Sequence, residues 1–344
     1  MSRRIVLCLS HSIEEYDQLK LLSELGHDVF SIGGYINPGA PHDDKRPALP
    51  EVKYFPELQA AVDGLGTPDN LGAAQEGIPD AILDWADTII YHHYLDRLYG
   101  QWPRIKDWLD GDSGRRVIWR SVGQSVEGNE RTAVPFRAQG LERVAYSAKE
   151  QNIPGYAGHD ALIRFYKDPE EWKGWTGEQP FVINFTQHLR QRDPYTNWGF
   201  WEAATKGLER LPMGPGSEII GGTGALTSEL MMSQLRRNRV YLYTGTQPAS
   251  YTLGLIEAMM TGIPVVSIGP SWMNVFPYGP DLFEGHEITW PGETFDDPYV
   301  AKRRLTTLLE DRKTADVLGR AQRQRAIDLF GKDKIAAEWA AYLG

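Results

Sequence analysis

Ser250 and Thr252 stand where the sequence asks for the start of a helix, in the stretch TGTQPASYTLGLIEAMMTGIPVVSIG. Gly245 and Pro248 break the chain just before them, and both are good N-cap residues. A helix that begins there offers free backbone N–H groups and the positive end of its dipole, which suits a phosphate. Glu257 follows one to two turns in. Leu253, Ile256 and Met260 recur at helical spacing and define the buried stripe, so Glu257 sits beside the core face. A carboxylate only accepts hydrogen bonds, and one placed there can take two from a vicinal diol such as that of ribose. A helix with one solvated glutamate, punctuated by Gly262 and Pro264, accounts for the same residues equally well.

Other groups could join this chemistry. Arg190 and Arg192 follow the apolar run FVINFT, and forked guanidinium groups suit a diphosphate. The competing reading is a solvated loop. His92 and His93 close the run DTIIYHH. Neighbours on a strand point to opposite faces, so at most one of them can face a ligand. A neutral imidazole there could donate a hydrogen bond to a ligand, or it could simply be packed at a strand end. The turn GGTG, with Gly222 and Gly224, is a weak signal because glycine turns are common. Arg120, Gln124 and Glu127 in RSVGQSVEGNE are expected as polar groups on a loop. No carboxylate pair stands at a strand end. Asp43 with Asp44 and Asp296 with Asp297 fall in loops, so no metal site is expected.

The elements that would position these residues alternate. RIVLCLS, EEYDQLKLLSELG and HDVFSIGG read as strand, helix and strand, with Gly26 as the helix C-cap. Such a βαβ unit implies a parallel sheet. DTIIYHH and RRVIWRSVG continue it as strands, with RVAYSAKEQ and ALIRFYK as shorter ones. LYGQWPRIKDWL reads as a helix interrupted near its start by Pro103. The polar segment KDPEEWKGWTGEQP marks a boundary, after which the alternation restarts. FVINFT, SEIIGG, RVYLYTG and IPVVSIG are expected strands. NWGFWEAATKGL, LTSELMMSQLRR and LGLIEAMMTG are expected helices, and the tail is helical. The fold class is therefore α/β, with two Rossmann-like doubly wound domains in series. The expected divisions are 1–167, a linker over 168–180, 181–329, and a C-terminal helix over 330–344. Ligands of such sheets bind at the carboxyl ends of the strands.

Composition narrows the class. A chain of 344 residues is comfortable for two domains, and 41% hydrophobic with 24% charged residues is ordinary for globular proteins. The net charge of −10 disfavours nucleic acid as the main partner. Cys8 is the one cysteine and lies in an apolar run, so it reads as a core residue in a reducing compartment. The N-terminus lacks the long apolar stretch of a signal peptide, and no run reaches the roughly 20 apolar residues of a membrane span. A cytoplasmic location is the expectation.

The segment around Glu257 resembles the nucleotide-sugar motif of retaining glycosyltransferases of the GT-B fold, in particular family 4. The matching residues are Glu257-Ala258-Met259, Gly262 and Pro264-Val265-Val266. The resemblance implies two domains facing a cleft, a UDP- or GDP-sugar donor, an acceptor hydroxyl and no cofactor or metal. It places the donor against Ser250, Tyr251, Thr252, Leu253 and Glu257, with Glu257 on the ribose and Gly222 and Gly224 near the base. It gives Arg190 and Arg192 the leaving diphosphate, and one of His92 and His93 the donor sugar. The family's first glutamate falls on Ala249, a departure that leaves the sugar and the stereochemical course open. The tail helix KIAAEWAAYL would pack back on the first domain, anchored by Trp339. A nucleotide-sugar epimerase and a catalytically inactive nucleotide-sugar-binding or assembly protein remain as alternatives. A dehydrogenase is disfavoured, because no GxGxxG follows the first strand.

Overall fold

The computed structural model describes residues 2–8, 12–32, 52–63, 77–92, 95–122, 126–247, 249–273 and 292–344. His93, Gln124, Pro248, Asp43 and Asp44 lie outside them. The chain divides into two compact units: Met1–Arg164 with Ile335–Gly344, and Phe165–Lys334.

The first unit is built on β1 (Arg4–Cys8), β2 (Asp28–Ser31), β3 (Thr88–His92), β4 (Arg116–Arg120), β5 (Leu141–Ala145) and β6 (Ala161–Leu162). They form one sheet in the order β2-β1-β3-β4-β5-β6, and every pairing is parallel. The continuous apolar runs explain this. Ile5, Val6 and Leu7 are all fully buried, as a strand covered on both faces must be. The helix Ser12–Glu24 ends at Gly26, whose φ of 85° is the left-handed conformation that glycine adopts without strain.

The second unit carries β7 (Gln179–Asn184), β8 (Arg210–Pro212), β9 (Asn238–Tyr243), β10 (Val265–Ile268) and β11 (Thr294–Phe295). Their order is β11-β10-β9-β7-β8, again all parallel. Counted from its own first strand, the second sheet runs 2-1-3-4-5, the order of doubly wound flavodoxin-like sheets, and the first runs the same with a sixth strand added. The order reverses between β1 and β3 in one unit and between β7 and β9 in the other. Those are the topological switch points, where such sheets hold ligands.

The helix Lys332–Leu343 joins the first unit from Ile335 onward. Ile335, Trp339 and Leu343 recur every four residues and are buried. Arg116 donates to the Tyr342 carbonyl at 2.8 Å, and its guanidinium lies 4.4 Å from the Tyr342 ring centroid. The Tyr342 hydroxyl donates to Glu142 at 2.6 Å, and Arg3 donates to the Leu343 carbonyl at 2.7 Å.

Several expectations need correction. SEIIGG is not a strand; Ser217–Ile220 is a 3₁₀ turn bounded by Gly216 and Gly221, both at φ 79°. The strand lies upstream at Arg210–Pro212. LYGQWPRIKDWL is broken near its start, but ahead of Pro103: the helix Asp96–Tyr99 ends at Gly100, and Pro103 lies in the first turn of the helix Trp102–Asp110, where the missing N–H loses nothing. Glu127 opens a helix, Glu127–Arg137, rather than sitting in a loop. Arg120 is no surface group. It is buried at the end of β4 and donates to the carbonyls of Ala145 and Ile163. The polar segment 168–180 is part of the second unit, with Trp172 buried and the Trp175 indole donating to the Asn238 carbonyl at 2.8 Å. Among the described residues, no helix is long and apolar enough to cross a membrane.

Candidate functional site

In the second unit, three loops leave the carboxyl ends of adjacent strands: 185–197 after β7, 213–227 after β8 and 244–252 after β9. Side chains stitch the β7 and β9 loops together. Asn184 ends β7, donates to the Leu242 carbonyl at 2.8 Å and accepts from the Thr186 N–H at 2.6 Å. Asn197 sits at φ 57°, a conformation that Asn tolerates better than most, and donates to the Thr244 carbonyl at 2.7 Å. The Gln247 N–H donates to the Tyr195 carbonyl at 2.8 Å.

The β7 loop also holds to the β8 loop. The His188 N–H donates to the Pro215 carbonyl at 2.7 Å, and Gln191 donates to the Gly216 carbonyl at 3.0 Å. His188 has φ 52°. Among the described residues, His188 and Asn197 are the two non-glycine residues with positive φ, and both lie in the loop that carries Arg190 and Arg192. Strained conformations persist where the surroundings fix them, and here both loop neighbours do so. Arg190 and Arg192 are thus exposed groups on a pinned loop, with the Arg190 guanidinium 5.9 Å from the Trp198 ring centroid.

The glycines after β8 have a reason inside the chain. A Cβ on Gly222 would stand 2.2 Å from the Pro212 carbonyl oxygen. A Cβ on Gly224 would stand 2.8 Å from Glu218 Oε1, at φ 76°. The Gly222 and Gly224 N–H groups donate to the Ser217 carbonyl and to Ser217 Oγ, each at 2.9 Å. These N–H groups are therefore already used within the turn.

After β9 the chain enters the helix Leu253–Thr261. Thr252 is its N-cap, and its hydroxyl accepts from the Leu255 N–H at 3.4 Å. Gly262, at φ 94°, closes the helix and turns the chain into β10. Ser250 and Tyr251, expected to lie against the donor, are both buried. Tyr251 packs between the rings of Phe165 and Phe330, at centroid distances of 5.7 and 5.3 Å. An apolar ring one step before a helix fills the core first. Thr252, Leu253 and Gly254 remain half-buried, so the helix start itself is accessible. Beneath it lies Tyr241, whose hydroxyl accepts from the Phe185 N–H at 3.4 Å. Burial pushes that phenol well above its ordinary pKa, so it stays neutral.

Glu257 is not a solvated residue. It is 3% exposed, and its Oε1 lies 2.7 Å from Nζ of Lys167, itself 1% exposed. The local sequence gave no sign of Lys167, which comes from the segment before β7 and far from Glu257 in the chain. Lys167 is fixed in turn: its N–H donates to the Phe330 carbonyl at 3.0 Å, and Nζ lies 5.4 Å from the Trp172 ring centroid. Side chains on a helix lean toward its N-terminus. Glu257 therefore reaches back toward the turn of Leu253 and Gly254. In the first unit, His92 is buried at the end of β3, at that sheet's switch point. Ala249 is 9% exposed. Among the described residues, no group of three or more His, Cys, Asp or Glu side chains could hold a metal ion.

No protein-family model matches the chain, and no curated protein matches it in sequence. Solved structures do match it in shape. A glycosyltransferase from Rickettsia africae superposes with a TM-score of 0.65 at 11% identity, covering 99% of this chain and 98% of that one. HepE from Anabaena, solved with UDP-glucose, gives 0.59 at 14% identity over 99% of both chains. An alpha-glucosyltransferase solved with UDP and a DNA 13-mer gives 0.60 at 10% identity, again over 99% of both. The two parallel-sheet α/β units are those of the GT-B glycosyltransferase fold.

Proposed function

We propose that this chain is a glycosyltransferase that takes its sugar from a nucleoside-diphosphate donor, with UDP as the nucleotide. One observation carries the reading. The pinned arginine loop and the accessible helix start leave β7 and β9, the two strands that flank the second unit's switch point. The fold around them is shared with glycosyltransferases solved with UDP or UDP-glucose. The donor diphosphate lies at the N-terminus of the helix Leu253–Thr261, met by Arg190 and Arg192. Its ribose faces Glu257. Transfer to an acceptor hydroxyl then rests on positioning and on stabilising the charge that grows on the leaving diphosphate. The motif Glu257-Ala258-Met259 with Pro264-Val265-Val266 supports a retaining course of the family 4 kind. The arginines and the helix dipole supply positive charge at the diphosphate, so the reaction is proposed to need no metal.

The first test is thermal stabilisation by UDP, GDP, ADP and their sugars, on wild type and Glu257→Ala. A ligand at 100 times its Kd adds about 2.7 kcal/mol. Stabilisation of the wild type by UDP or a UDP-sugar, and weaker stabilisation of the variant, is the expected result. No shift with any nucleotide would end the proposal.

A second reading, an inactive nucleotide-sugar-binding protein, is favoured by Ala249 at the position of the family's first glutamate. Release of free sugar from a bound UDP-sugar over long incubation separates the two: the enzyme hydrolyses its donor slowly, and the binder does not.

A further inference from the structure

We infer that Lys167 is a positioning residue of the donor site, which aims the Glu257 carboxylate at the ribose diol; the inference rests on the reading of the site just given. A lysine and a glutamate this deeply buried are expensive to desolvate, and an apolar pair of equal volume often serves stability as well or better. Stability alone is thus a weak reason for the pair. Its place gives a better one. Glu257 lies one turn beyond Leu253 and Gly254, the residues that leave the helix start accessible. Without a fixed partner, a glutamate has several rotamers, and holding a diol at two points needs one of them. Lys167 Nζ, 2.7 Å from Oε1, selects that rotamer. Lys167 can do so because it is itself held, by the Phe330 carbonyl on its backbone and the Trp172 ring against its ammonium.

The test compares UDP with 2′,3′-dideoxy-UDP by calorimetric titration, on wild type, Lys167→Met and Lys167→Gln. The readout is the ratio of the two affinities, because a purely structural loss weakens both ligands alike and leaves the ratio unchanged. A wild-type preference for the diol of about 10- to 100-fold is expected, the worth of a hydrogen bond to a charged group. The preference should fall toward one in Lys167→Met. Lys167→Gln keeps a donor but no charge and should fall between; it also serves as the test if Lys167→Met does not fold. An unchanged ratio in a folded variant would overturn the role of Lys167 while the donor site stands. A wild type that binds UDP with no diol preference would overturn it by removing Glu257 from the ribose. A wild type that binds neither ligand overturns the donor-site reading and this inference together.

Discussion

Gly254 decides access to the helix start. A Cβ placed on it would meet Tyr241 Oη at 3.6 Å, an ordinary contact, so the fold tolerates a side chain there. Gly254→Val should therefore keep or slightly raise the melting temperature. It should weaken UDP binding by tenfold or more, on the order of 1.4 kcal/mol, because the branched side chain fills the space over the N-terminus. Equal affinity in the variant would place the nucleotide elsewhere. Arg190→Ala and Arg192→Ala should each weaken UDP several-fold and leave uridine unchanged, which paired titrations would show. At this scale the sequence offered Glu257 and both arginines as candidates, because their signals are local: a motif, and cations just past a strand. It could not carry Lys167, whose relation to Glu257 exists only once the chain has folded. Nor could it show Tyr251 turned inward, since a tyrosine at a helix start reads equally well as core or as ligand.

Strands and helices with strong periodicity fell close to where they were expected. The failures share a cause, which is punctuation outweighing composition. SEIIGG has strand-like residues, but Gly216 and Gly221 bend the chain on either side of Ser217–Ile220. The true strand, Arg210–Pro212, is only three residues long and ends in a proline. The helix Glu127–Arg137 was masked by Pro135 within it. One cap gives a pH-dependent prediction. Asp311 accepts from the N–H groups of Lys313 and Thr314, at 3.0 and 3.1 Å, and from the Thr314 hydroxyl at 2.5 Å. The Thr314 hydroxyl, then its N–H, hold the Asp311 carboxyl below the ordinary aspartate range. A depressed folded-state pKa stabilises fully above the unfolded value, about pH 4, and that stability is lost as pH falls through the folded value. The difference in melting temperature between wild type and Asp311→Ala should thus be constant near neutrality and shrink in acid. A difference that grows in acid would contradict this.

The whole molecule rests on a tail that belongs to the fold's beginning. Removing residues 335–344 strips Ile335, Trp339 and Leu343 from the first unit's core and leaves Arg116 without its carbonyl and ring partners. Three buried apolar side chains are worth about 5 kcal/mol or more, a large part of a unit's stability. Calorimetry of the truncated chain should show the first unit's transition lost or sharply lowered and the second unit's kept. The chain passes between units twice, after Arg164 and after Lys334, and within the second unit Lys167 pairs with Gly331 in a parallel bridge. In genetic terms residues 165–334 are an insert, and the bridge ties its two ends to each other within the second unit. Excised as one fragment, they keep Lys167 with Glu257, and with them the proposed nucleotide site. A fragment begun at Asp168 would look as natural on paper and would carry that glutamate without its countercharge.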